Sequence, residues 1–336
     1  MRFFLTLSVL MGLFSALQGE APVWPIPGKA FAEGRPFEAF VQPTASGKPE
    51  SALFGCVRNN GNRFHEALDL APVLERRRGE ATDPVRAIHA GRVVHINRVA
   101  GNSSYGRYVV MEHPGLTPAI YSLYAHLARI AEGLETGTFL EAGETLGIMG
   151  RSAGGYHIPP SRAHLHLEVG LRLTRDFQEW YDRQGYASDN HHGNFNGMNL
   201  IGWDPLDYFT AWRDSEVASV EAYLERIPPG VVLHIRTSRY PDFLERYPHL
   251  KRPGCPEGER AGWEVTLSPW GLPLGLRGLR KGELLGVVHP GDISVIAVNE
   301  EGTKEYACRD LTARRNGNLY LGSGGRRVLE LLFNPG

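Results

Sequence analysis

Two short stretches, RFHEALDLAP at 63–72 and RAHLHLEVG at 162–170, do most to fix what this chain can become. In each, residue types that bind metals recur at even spacing: His65 and Asp69 in the first, His164 and His166 in the second. Side chains of an extended strand alternate between faces, so residues two or four apart point the same way. The spacing predicts that His65 and Asp69 share one face of a strand, that His164 and His166 share one face of another, and that Leu165 and Leu167 turn toward a core. Two such strands side by side present two or three imidazoles and one carboxylate around a point. Neutral imidazole and carboxylate are ligands of a tetrahedral zinc ion, and three protein ligands leave a fourth position for water, as in a catalytic site.

A third piece lies between the two. IYSLYAHL sets His126 after alternating apolar and aromatic residues, as at the end of a buried strand. HEALD, YAHL and HLHLE in this order resemble the M23 family of zinc metallopeptidases, the lysostaphin or LytM type. The flanks are similar as well. PVRAIHAGRVVHI resembles the family's strand after the first motif, YGRYVVMEHP its following strand pair, and EAGETLGIMGRSAG its glycine turn; WDPLDYF resembles the Asp-Pro ending of such domains. The resemblance covers residues 54–170. Three ordered motifs with every expected position filled are far more specific than any one of them.

The resemblance implies an antiparallel β domain with an open groove and assigns roles. His65, Asp69 and His166 match the zinc ligands; His126 and His164 match the two histidines beside the metal. It implies a peptidoglycan substrate cut in its cross-links or stem peptides. His164 is favoured as general base and His126 as oxyanion stabiliser, an assignment the sequence leaves open. Taken singly, each has a plainer reading: His126 as a satisfied strand-end residue, HLH as a half-buried strand, Asp69 as a cap on the turn before Ala71-Pro72. Glu168 shares a face with His164 and His166, and either orients a ligand imidazole or is solvated. His89, His95, His113 and His157 read as structural or exposed, and the tandem His191-His192 as a solvated loop outside the metal set. The alternative function is that of M23-like domains without catalysis, which activate other wall hydrolases, or of a wall-binding protein. Two departures, GGYHIPPSRA before HLH and the RRRGEA insertion in the first loop, touch the rim of the groove and hence specificity.

At 336 residues the chain is long enough for two domains. Its formal net charge of −1 points to no nucleic-acid partner. MRFFLTLSVLMGLFSALQGEA reads as a signal peptide over residues 1–20, with Arg2 before an apolar run. The run from Phe3 to Leu17 is short of the roughly 20 residues a membrane span needs. No later segment qualifies either, so the expected protein is secreted, periplasmic or extracellular, with no membrane span after signal removal. Export permits a disulfide, and of the three cysteines Cys255 and Cys308 are expected to pair, leaving Cys56 as a small buried residue.

Residues 22–50, rich in Pro, Gly and Ala, read as a lead-in draped over a domain. The peptidase-type domain is expected over 21–210, with an aromatic, Asn/Gly-rich loop insertion at 171–203 able to wall the groove. A short helix is expected within 215–228. A C-terminal β-rich domain of unknown role is expected over 211–336, with strands in GVVLHIRTS, GWEVTLS, GELLGVVHPGDISVIAV and TKEYACRDL.

Overall fold

The structure, a computed structural model, describes residues 21–74, 77 and 80–333. The expected signal peptide lies outside these residues, as does part of the charged RRRGEATD loop. The described chain is mainly β, and its sheets are almost wholly antiparallel.

The first half opens with the hairpin β1 (Gly55–Arg58) and β2 (Arg63–His65), followed by β3 (Leu68–Leu70), β4 (Pro84–Arg86), β5 (Gly91–Asn97), β6 (Tyr108–His113) and β7 (Ile120–Ala125). Short strands β8 (Arg129–Ile130), β9 (Phe139–Leu140) and β10 (Thr145–Ile148) lead to β11 (Leu165–Arg172). Helix α1 (Phe177–Arg183) and β12 (Leu200–Gly202) complete this part. The principal sheet has the order β12-β11-β7-β6-β5-β9, with β3 also pairing with β11. A smaller sheet has the order β4-β10-β8.

The alternation of β11 does what its sequence predicts. Leu165, Leu167, Val169 and Leu171 enter the main core, together with Val109 and Met111 of β6 and Tyr124 of β7. The opposite face of the same strands carries a second apolar patch of Tyr108, Val110, Tyr121, Leu123, Ala125 and Leu200. Phe195 and Tyr105 pack on that patch, so the 171–203 segment covers this face of the sheet. The segment is not structureless: it holds α1, two short 3-10 turns and β12, and its aromatic residues Phe177 and Trp180 are buried. Close approach also constrains one glycine. A Cβ on Gly150, which bridges His164, would lie 2.3 Å from the Ala128 backbone nitrogen.

The lead-in is anchored by aromatic contacts. Trp24 stacks on Phe31 with ring centroids 4.1 Å apart, and both meet the edge of Phe209. Phe209 belongs to α2 (Pro205–Arg213), which starts at WDPLDYF because the Asp204 side chain accepts from the amides of Leu206 and Asp207. The expected short helix is α3 (Val220–Arg226), capped by Ser219.

Beyond it come β13 (Val231–Ile235), α4 (Phe243–Arg246), β14 (Lys251–Arg252), β15 (Gly262–Leu267), β16 (Pro273–Leu279) and β17 (Ile293–Val298). They form a sheet in the order β14-β16-β15-β13-β17, with only β14 parallel to its neighbour. Helix α5 (Glu300–Glu305), the hairpin β18 (Thr312–Arg315) and β19 (Asn318–Leu321), and helix α6 (Ser323–Phe333) follow. TKEYACRDL, expected as a strand, is instead α5 running into a 3-10 turn at Ala307–Arg309. The Asn299 side chain accepts from the Gly302 amide and starts the helix there.

The cysteine pairing also differs from expectation. Cys56 and Cys308 form the disulfide, with Cα atoms 5.9 Å apart, and Cys255 is free. Proximity in sequence misled, because the 3-10 turn carrying Cys308 folds back against β1. Tyr306 packs near Phe64, the Arg309 guanidinium lies 4.6 Å above the Phe64 ring, and Trp270 meets the edge of Phe54. Trp270 Nε1 also donates to the Gly202 carbonyl at 2.7 Å. The C-terminal part thus grips the hairpin that brings in His65.

Candidate metal centre

His65, Asp69 and His166 converge, all three buried. Strand β11 runs antiparallel to β3 with His166 directly opposite Asp69, so sheet register alone sets these two side by side. His65 arrives differently. The expectation of one strand carrying both His65 and Asp69 does not hold: β2 ends at His65 and β3 begins at Leu68. An unbroken strand would put residues four apart about 13 Å from each other. The break at Glu66-Ala67 is what lets His65 Nε2 come within 3.2 Å of Asp69 Oδ1.

Three ligand atoms form a nearly equilateral triangle. His65 Nε2 and His166 Nδ1 are 3.3 Å apart, and Asp69 Oδ1 lies 3.2 Å from the first and 3.0 Å from the second. Tetrahedral zinc with bonds near 2.05 Å requires ligand separations of about 3.3 Å. The remaining atoms of each ligand are already in use. His65 Nδ1 donates to the Leu53 carbonyl at 2.8 Å, leaving Nε2 with its lone pair. His166 Nε2 donates to Glu168 Oε1 at 3.1 Å, which directs Nδ1 to the centre of the triangle. The donor set and its spacing therefore fit zinc.

Glu168 is 1% exposed and collects three donors: His166, the Tyr105 hydroxyl at 2.5 Å to Oε1, and the Tyr121 hydroxyl at 3.1 Å to Oε2. Of the two readings of Glu168, solvation does not hold: the carboxylate is buried and orients the His166 imidazole.

The other two histidines close the group. His164 precedes β11 in an isolated bridge to Gly150, and its Nε2 is 3.7 Å from Asp69 Oδ2. His126 follows β7 with φ of 62°, a left-handed conformation uncommon for residues other than glycine. Its ring lies 4.6 Å from that of His164 and 5.6 Å from that of His166. Both Nδ1 atoms donate to carbonyls, His126 to Ser152 and His164 to Arg162, each at 2.8 Å. Their Nε2 atoms are thereby left as acceptors when the rings are neutral.

Burial favours that neutral state. It depresses the pKa of His65, His164 and His126, the last well below its ordinary value. Burial would raise the Asp69 carboxyl, but the surrounding histidines hold it well below the usual carboxylate range. His166 is the exception. Burial pulls it down, yet hydrogen bonds to Asp69 and Glu168 carry it up to about 9 in the metal-free protein.

Of the histidines expected to be structural, exposed or solvated, His89 and His113 are buried and structural, whereas His192 is half-buried rather than solvated. His89 bonds the Tyr208 hydroxyl, and His113 lies between the Ala90 carbonyl and Ser122. His192 bonds the Tyr108 hydroxyl and the Asn102 carbonyl. One unforeseen residue enters the site. Arg58 Nη2 lies 2.7 Å from His65 Nε2 and also bonds Asp69 Oδ2. The turn Asn59-Asn60-Gly61, whose three residues all have positive φ, is the signal that could have paired its strand with that of His65.

The fold is a mainly antiparallel β domain that brings two imidazoles and a carboxylate together. Residues 63–176 match the model of Peptidase family M23, in agreement with the resemblance read from the motifs. Similar solved structures include the following three. A zinc-containing peptidase from Vibrio cholerae is 21% identical, over 45% of this chain and 36% of that one, with a TM-score of 0.30. The catalytic domain of lysostaphin from Staphylococcus simulans is 19% identical, over 45% and 82%, with a TM-score of 0.28. A putative glycyl-glycine endopeptidase LytM from Ruminococcus gnavus is 21% identical, over 61% and 64%, with a TM-score of 0.33. The chain thus spans about a third of the length of the Vibrio cholerae protein. No curated protein matches it. Among the described residues no helix is long and apolar enough to cross a membrane.

Proposed function

We propose that the protein is a secreted zinc-dependent endopeptidase that hydrolyses peptide bonds in the cross-links or stem peptides of peptidoglycan. The observation that carries this reading is the preformed triangle of His65 Nε2, Asp69 Oδ1 and His166 Nδ1, with two more imidazoles beside it. A bound zinc ion supplies an activated water and a Lewis acid for the scissile carbonyl. The chain supplies the rest. His164, neutral and closer to Asp69, takes up the proton of the attacking water on Nε2. His126, held by Ser152 in its unusual backbone conformation and 4.6 Å from His164 ring to ring, offers Nε2–H to the developing oxyanion when it takes that proton over from His164. Whichever of the two imidazoles holds the proton then returns it to the leaving amine.

The rim suits an anionic, extended polymer. Tyr156 is 52% exposed beside His126, and Arg63 and Arg162 act on it electrostatically. These cations attract the carboxylates of stem peptides.

Purified sacculi are the test. Incubation with the zinc-loaded protein should release new amino termini, and His65→Ala should abolish the release together with zinc binding. A protein that binds no zinc and only stimulates a partner amidase would replace this reading with that of a non-catalytic activator.

A further inference from the structure

We propose that Arg58 occupies the coordination position of His65 in the metal-free protein and must withdraw before the ion enters, so that it sets the affinity of the site for its metal. The inference rests on the metal-site reading above.

The argument turns on one lone pair. The Leu53 carbonyl can only accept, so His65 Nδ1 carries the ring proton and Nε2 has a single lone pair. A guanidinium can only donate, so the 2.7 Å contact from Arg58 Nη2 uses that same lone pair. A metal ion needs it too. The Arg58–His65 hydrogen bond and coordination by His65 are therefore mutually exclusive. Arg58 also bonds Asp69, through Oδ2 rather than the Oδ1 that faces His65 and His166, and this contact does not block the triangle.

Electrostatics point the same way. Asp69 is a buried carboxylate, and the Arg58 guanidinium is a cation paired with it. A dication on the triangle neutralises Asp69 and repels the guanidinium. The side chain has both an anchor and an exit. Arg58 Nε donates to the Ser51 carbonyl at 3.2 Å, and its strand is pinned two residues earlier by the Cys56–Cys308 disulfide. The side chain is nonetheless 22% exposed, against 3% for Asp69, so its head can move outward.

The test compares zinc affinity of the full chain, stripped with a chelator and titrated against a chromogenic zinc chelator, for wild type, Arg58→Gln and Arg58→Lys. Loss of a charge-assisted hydrogen bond from the metal-free state predicts zinc binding about tenfold tighter in Arg58→Gln. Arg58→Lys, whose ammonium lacks the planar fork, should fall between and guards against a Gln variant that fails to fold. The zinc-induced rise in melting temperature should be larger in both variants than in wild type. Equal or weaker zinc binding by the variants overturns the proposal, leaving Arg58 as a residue that merely orients Asp69. Failure of the wild type to bind zinc at all overturns instead the metal-site reading on which it rests.

Discussion

Replacing Glu168 by Gln probes how the protein tunes its metal ligand without touching the ligand itself. The carboxylate accepts from His166 and Tyr105 on Oε1 and from Tyr121 on Oε2. A glutamine of the same shape can keep its oxygen toward His166 and Tyr105. Its amide nitrogen then faces the Tyr121 hydroxyl, which can turn to accept. The site should stay filled and folded; all three charge-assisted bonds lose the carboxylate's charge, but only the one to His166 bears directly on metal binding. Such bonds contribute about 1.5–3 kcal/mol against about 0.5–1.5 for neutral ones, a difference of about 1–2 kcal/mol. Loss of an outer partner of a ligating histidine typically weakens metal binding about 10–100-fold, which agrees in size. Zinc affinity from chelator competition, with circular dichroism as the check on folding, measures it directly. A folded Glu168→Gln protein that binds zinc as tightly as wild type would refute the view that this buried carboxylate acts through His166.

Three further outcomes are expected. His126→Ala should retain zinc but lose turnover on sacculi by about 10²–10⁴-fold, measured as kcat with metal content checked by mass spectrometry. Because His166 stays protonated up to about 9 without metal, zinc binding near pH 7.5 should release a proton, seen by titration calorimetry as a heat that varies with buffer ionisation enthalpy. The sign follows: the stabilisation that His166 gives the metal-free fold is complete below its unfolded value near 6.5 and lost as pH rises through about 9, while zinc affinity rises over that window. A heat independent of buffer would contradict it. Finally, Cys56→Ser, or reduction, should destabilise the fold in denaturant titrations by about 2–5 kcal/mol, the usual cost of losing a native bridge.

Much of the site was legible because its geometry is the geometry of a sheet. The alternation in HLHLE fixed which residues of β11 face the core, and cross-strand pairing placed His166 against Asp69. What spacing could not convey was the break between β2 and β3. Parity of position gave the correct face for His65 and Asp69, but only a kink removes the axial separation an extended chain imposes. Arg58 was invisible for a related reason: it reaches the site through a hairpin partner, and the turn signal alone does not say what the strand carries. The cysteine pairing depends on a contact between distant parts of the chain, which local reading does not supply. Helix α6 was overlooked although Val328, Leu331 and Leu332 recur at helical spacing, because the paired glycines Gly324 and Gly325 obscure its start. In the Thr303–Leu311 segment, residues suited to strands were overruled by a cap one turn upstream.

The grip of Trp270, Tyr306, Arg309 and Cys308 on the first hairpin has a practical corollary. His65 of the candidate metal centre is braced by residues encoded two hundred positions downstream, so the motif-bearing half is not a cassette that can be cut out and transplanted. A chimera built from residues before 211 alone would expose Phe54 and Phe64 to water and leave His65 on an unsupported arm.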